Sequence, residues 1–138
     1  MIKKGQGVWL DGVEITRTRK GYIGQQIVID YLLRKNARVY EPIVDDFHID
    51  LLIERDGKYI SVQVKYHSTM SNGTSIQVKI QPTGADWIAI PVCVEDKTDI
   101  MWYKNTRKNK KYTIAFQMSK PRKKVNFYRY FLKSPIDY

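Results

Sequence analysis

The stretch "HIDLLIERDGKYISVQVKY", residues 48–66, decides the fold. Two alternating runs flank the dipeptide Asp56-Gly57. Asp and Gly tolerate the left-handed backbone of a two-residue turn, so the pattern predicts a hairpin of "HIDLLIER" against "KYISVQVKY". In the second run Ile60, Val62, Val64 and Tyr66 share one face; Tyr59, Ser61, Gln63, Lys65 and His67 share the other. With Asp56 and Gly57 as the loop, Arg55 faces Lys58 and Asp50 lies opposite Gln63. His48 lies opposite Lys65 if pairing extends that far. Opposed residues share a face, with Cβ atoms roughly 4.5–5.5 Å apart. Asp50, Gln63 and Lys65 therefore cluster. A three-residue loop would slip the register by one and scatter them.

The pattern upstream of the hairpin is helical. From Tyr22 to Lys35, apolar residues Ile23, Ile27, Val28, Tyr31 and Leu32 recur at three- and four-residue spacing. Thr18 fits an N-cap and Asn36 a left-handed C-cap. "ARVYEPI" reads as a strand at an edge or bend, because Pro42 has no N–H to pair; "VDDF" reads as a loop. A short strand is expected around Val8–Leu10. Downstream, "HSTMSNGTS" reads as a loop and "IQVKI" as a strand. "WIAIPVCV" is nearly all apolar, as in a strand buried on both faces. "EDKTD" turns the chain into "IMWYKN", its hairpin partner, and "YTIAFQM" supplies a later strand. Trp87 and Trp102 flank this hairpin and belong in the core. The order predicts an α+β fold: an early long helix packed on a central mixed β-sheet, with additional C-terminal strands. One domain over residues 1–138 is expected.

Composition narrows the class. The single cysteine, Cys93, forms no intrachain disulfide, so the fold does not depend on an oxidising compartment. The start "MIKKGQGVWLDG" has no apolar leader core, and no apolar run is long enough to span a membrane. An intracellular protein is expected. Residues 1–100 hold 13 Lys+Arg and 13 Asp+Glu; residues 101–138 hold 11 and one, so the whole net charge of +10 lies in the last quarter. There, cations interleave with aromatics, as in "WYKNTRKNKKYTIAF" and "KPRKKVNFYRYFLK". Unbalanced cations attract a polyanion, and Tyr and Phe either pack or stack on bases.

An aspartate, an amide oxygen and a lysine on one face form a chemical tool. Asp50 and the Gln63 carbonyl suit Mg²⁺, a hard cation that prefers oxygen, with Mn²⁺ as a substitute. The Lys65 ammonium stabilises charge developing on a phosphate, or assists attacking water once its pKa is lowered. The competing reading is an ordinary polar face, where cross-strand Asp and Lys are common.

"HID" followed thirteen residues on by "QVK", across a hairpin, resembles the PD-(D/E)XK nuclease motif. The segment from Gly21 to Tyr66 resembles the small intron-encoded homing endonucleases and related Holliday junction resolvase-like proteins, over roughly residues 20–67, and "ADWIAIPVCV" adds support. The resemblance implies a restriction-endonuclease-like fold and a metal-dependent endodeoxyribonuclease. Asp50 would be the main metal ligand, Gln63 would take the second acidic position as a metal ligand, and Lys65 would be the catalytic lysine. Gln25, after Gly24, would stand at the position of the helix-borne glutamate. On a helical wheel Gln25 lies at the margin of the apolar stripe, whereas Gln26 is further round. Two departures stand out: Ile49 replaces the proline before the aspartate, and two acidic positions carry glutamine. Asp45, Asp46 or Glu41 could add charge at the metal. Otherwise the chain is a catalytically inactive DNA-binding module on the same fold, and an RNA substrate stays open.

Several further residues are candidate DNA contacts. His48 could touch phosphate or move a proton. His67 and Ser68 follow Lys65 and could meet the backbone. Gln77 and Lys79 share one face of "IQVKI", a possible groove-reading ribbon. Arg107, Lys108, Lys110, Lys111, Arg122, Lys123 and Lys124 supply the basic surface. Cutting both strands of a duplex takes two sites, so a homodimer or higher homo-oligomer is expected.

Overall fold

The computed structural model describes residues 7–10, 13–44, 47–67, 75–94, 97–117 and 134–136. The chain opens with β1 (Gly7–Leu10) paired antiparallel to β2 (Val13–Thr16). β2 is not among the expected strands, since four residues, "VEIT", give little periodicity to read. Helix α1 (Arg17–Arg34) follows directly. Its N-cap is Thr16, whose hydroxyl oxygen accepts from the Arg19 N–H at 3.2 Å, and not the expected Thr18. The helix begins five residues before the expected Tyr22 because its first turn, "RTRK", has no apolar residue to carry the pattern.

The far end of α1 matches expectation. Asn36 is left-handed, with φ 62. The Ala37 N–H bonds the Leu32 carbonyl and the Asn36 N–H the Leu33 carbonyl, both at 3.0 Å. This is a Schellman closure, and Leu32 and Ala37 both belong to the core beneath it.

A five-stranded sheet has the order β3-β4-β5-β7-β8. Its strands are β3 (Arg38–Tyr40), β4 (Leu51–Arg55), β5 (Lys58–Val64), β7 (Trp87–Val94) and β8 (Lys97–Lys104). β5 and β7 are parallel and the other pairs antiparallel, so the sheet is mixed. Asp56 (φ 53) and Gly57 (φ 78) are both left-handed, as a type I′ turn requires. The pairing runs from Arg55↔Lys58 to Leu51↔Val62, in the register read from the sequence. β3 stops at Tyr40 and β4 starts only at Leu51. β8 starts at Lys97, earlier than expected, because its polar first residues still pair with β7.

β6 (Ser75–Ile80) and β9 (Tyr112–Gln117) form a separate antiparallel pair. The result is three layers. One core lies between α1 and the sheet, with Val28, Leu32, Leu51, Ile53, Val62, Ala89 and Trp102. The other contains Ile88, Ile90, Val92 and Met101 together with Val78, Ile80, Tyr112 and Ile114 of the β6–β9 pair. β7 contributes to both, which explains its unbroken apolar run. Trp87 is half-buried against the first core. Among the described residues no helix is long and apolar enough to cross a membrane.

Candidate active site

Alternation along β5 sorts its side chains. Ile60, Val62 and Val64 pack into the core beneath α1. Ser61, Gln63 and Lys65 project from the opposite face. β5 pairs with β7 through Val64↔Ala89, and the Lys65 N–H still bonds the Ala89 carbonyl at 2.9 Å. In a parallel ladder the next donor, to the Lys65 carbonyl, would be residue 91. That residue is proline, so the regular strand ends there.

On the other side of β5 the ladder ends in a side chain. The Asp50 N–H bonds the Val62 carbonyl at 2.9 Å. The Asp50 Oδ2 accepts the Val64 N–H at 2.8 Å, taking the place of a backbone acceptor on the next rung. The carboxylate is thereby held at the level of Val64, between Gln63 and Lys65 along the strand. Gln63 is 9% exposed, and its Oε1 is buried with no hydrogen-bond partner among the described residues. A buried amide oxygen without a donor is costly. It suits a cation that takes oxygen ligands, so the donor set fits a hard divalent ion with one anionic ligand. No group of three or more His, Cys, Asp or Glu side chains gathers around a metal position among the described residues.

Helix α1 reaches the same end of β5. A Cβ on Gly24 would lie 2.6 Å from the Tyr66 Cβ, so only glycine lets the helix approach this closely. Gln25 stands next in that turn. It is half-buried, and so is Gln26, so burial does not choose between them. Lys20, one turn earlier, lies with its Nζ 5.7 Å from the Tyr66 ring centroid. Burial, then the Arg17 charge, pulls the Lys20 ammonium pKa below the ordinary lysine value.

His48 does not pair with Lys65. It is exposed in a bend with φ 53, and its carbonyl accepts the Thr83 hydroxyl at 2.6 Å. The expected opposition fails because strand pairing ends at Leu51 and the chain turns away through His48. His67 continues beside β7, bridged to Val92, with its N–H on the Pro91 carbonyl at 2.9 Å. Lys79 and Gln77 are exposed on β6 while Val78 and Ile80 are buried, as the alternation predicts. Arg107, Lys108, Lys110 and Lys111 are exposed between β8 and β9. Two of them have internal partners: Arg107 lies over the Tyr112 ring, 5.8 Å from its centroid, and Lys108 pairs with Asp86 at 2.6 Å. Glu41 is exposed. Ser68, Arg122, Lys123, Lys124, Asp45 and Asp46 lie outside the described residues.

Sequence reasoning missed the supports of this site. Asp86 accepts from the Ser61 N–H at 3.0 Å and the Ser61 hydroxyl at 3.1 Å. Burial alone would raise its pKa, but the bonds from Lys108 and Ser61 outweigh that and hold the carboxyl below the ordinary aspartate value. Thr83 is 2% exposed and ties the His48 carbonyl to the Ala85 N–H. Asn105 is buried and bonds the carbonyls of Thr83 and Ala85. Tyr112 donates to the Asn105 Oδ1, and burial raises its pKa, with Tyr103 adding and Arg107 opposing. No periodicity marks such residues; the glycine and proline around Thr83 are the sole local signal.

The PD-(D/E)XK endonuclease family matches residues 15–100, more than half of the chain. The chain belongs to that family. It is therefore a nuclease by descent, with DNA as its substrate class and a divalent metal as the family's cofactor. The fold is similar to that of a solved bacterial homing endonuclease, I-Ssp6803I. That match has a TM-score of 0.63 and 22% identity, and covers 78% of this chain and 79% of that one. No curated protein matches the chain.

Proposed function

We propose that the protein is a Mg²⁺-dependent endodeoxyribonuclease in which Asp50 and Gln63 hold the metal and Lys65 and Gln25 act beside it. The observation that carries this reading is the buried Gln63 Oε1, unpartnered among the described residues, together with the Asp50 carboxylate held on the N–H of Val64, the residue that follows Gln63 in β5. A divalent cation bound there supplies a Lewis acid for the phosphoryl oxygen and lowers the pKa of a water. Asp50 contributes the negative charge, and its bond to Val64 keeps the carboxylate oriented. Gln63 contributes a neutral oxygen. The Lys65 ammonium stabilises charge on the phosphate as the phosphodiester bond breaks. Gln25 orients the attacking water from the helix side. Mn²⁺ would substitute for Mg²⁺. The chain would act as one domain and assemble as a homodimer to cut both strands, on a specific duplex or a branched junction.

A second reading, a DNA-binding module that has lost cleavage, is favoured by the absence of any three-acid metal cluster among the described residues. Supercoiled plasmid and a four-way junction, incubated with Mg²⁺ or Mn²⁺, separate the two. The nuclease reading expects metal-dependent nicking that Asp50→Ala and Lys65→Ala reduce at least a hundredfold. Salt-sensitive binding of both substrates with no cleavage would leave the binding module.

A further inference from the structure

We propose that Lys20 is a further DNA-contacting residue of this nuclease: laid over Tyr66, the chain neighbour of Lys65, it binds a backbone phosphate on the helix side of the site. The proposal rests on the nuclease reading for the place of the site and not on its metal.

The geometry comes from a single close contact. Gly24 lets α1 approach until a Cβ there would be 2.6 Å from the Tyr66 Cβ. Lys20 is four residues earlier on the same helical face as Gly24, Val28 and Leu32. Those three are buried against the sheet. Lys20 therefore continues the buried face past the end of β5, where the Tyr66 ring supports it with the Nζ 5.7 Å from the centroid. A cation held over an aromatic face is fixed in position yet keeps its hydrogen-bond donors available.

Its charge has no acidic counterpart among the described residues. The first turn of α1 contains no acid, and Lys20 takes part in none of the ion pairs among the described residues. Arg17 adds a like charge beside it. A helix start favours anions, so cations in this turn oppose the helix dipole. A half-buried ammonium next to a guanidinium, without a paired acid, weakens the free fold. Local conflicts of this kind concentrate at functional sites. A phosphate would relieve all of it at once, and on the nuclease reading the DNA backbone passes the strand end that carries Lys65.

Binding of a fluorescent 30-bp duplex in EDTA tests this, over a salt series. Wild type is compared with Lys20→Ala, Lys20→Gln and Lys20→Arg. Removing one phosphate contact lowers the slope of log K against log salt by about 0.9. Lys20→Ala is expected to show that loss and to bind about three- to tenfold more weakly at low salt, with Lys20→Arg restoring the wild-type slope. If Lys20→Ala lowers the melting temperature, Lys20→Gln, which keeps most of the stem, supplies the slope. A slope unchanged in both neutral variants overturns the proposal, and so does absence of wild-type binding. Cleavage by the wild type in Mg²⁺, with the slope in EDTA unchanged in the neutral variants, sinks Lys20 alone. Loss of slope in the neutral variants, with no cleavage by the wild type in Mg²⁺ or Mn²⁺, sinks the nuclease reading and leaves Lys20 standing.

Discussion

The buried amide of Gln63 occupies a place where an apolar side chain would be more stable, because its Oε1 has given up water and gained no donor among the described residues. Gln63→Met, of similar volume, is expected to raise stability by about 1 kcal/mol in urea unfolding while lowering metal-dependent cleavage. A loss of stability would mean that the oxygen has a partner in solution. Gln63→Glu is expected to act in the opposite sense on the metal. A second carboxylate strengthens the site, so half-maximal cleavage should need at least tenfold less Mg²⁺. Asp86 makes a prediction about pH. Its folded pKa is depressed, so its stabilisation is present above the unfolded value of about 3.9 and is lost as pH falls through the folded value. Asp86→Ala should cost about 1–3 kcal/mol at pH 7, from the donors of Ser61 left without an acceptor. The gap between variant and wild type should close in strongly acidic unfolding measurements.

At the scale of elements, the close approach of Gly24 to Tyr66 fixes α1 against the end of β5, where the proposed site lies. Gly24→Ala would gain about 1 kcal/mol of helix propensity. Its methyl would also meet the Tyr66 Cβ, which cannot move without its backbone. The net expectation is a loss of about 1–3 kcal/mol together with reduced cleavage, read from thermal melting and plasmid nicking. A variant as stable as wild type would show that the helix has room to shift. The hairpin β4–β5 is different in kind. Its turn residues are left-handed, its ladder matches the alternation, and its last rung is the Asp50 carboxylate. Local chemistry and tertiary pairing agree there, which is why the residues between Asp50 and Lys65 are enough to give the register.

Across the whole molecule, two layers flank one sheet, and the charge is unevenly spread. The proposed metal site holds one carboxylate and one lysine, whereas residues 101–138 hold 11 Lys+Arg against one acid. Binding and metal chemistry should therefore separate. EDTA is expected to abolish cleavage while leaving duplex affinity within about threefold, and raising salt from 50 to 200 mM should weaken binding by at least a hundredfold. A protein that releases DNA on metal removal would place the metal in binding rather than in chemistry.

The amino-acid sequence by itself determined the hairpin, its register, the helix end at Asn36 and the shared face of Gln63 and Lys65. Each depends on residues close along the chain, where backbone preference and two-residue alternation act directly. It also carried the family pattern from Asp50 to Lys65. Tertiary structure decided the rest. It turned the chain away at His48, so that this histidine leaves Lys65. It set β6 and β9 apart from the main sheet, and it drew Asp86 to Ser61 and Lys20 to Tyr66. The partners in these contacts stand between 25 positions apart, for Ser61 and Asp86, and 46, for Lys20 and Tyr66. No periodicity records such distances; only packing of the layers brings the partners within reach.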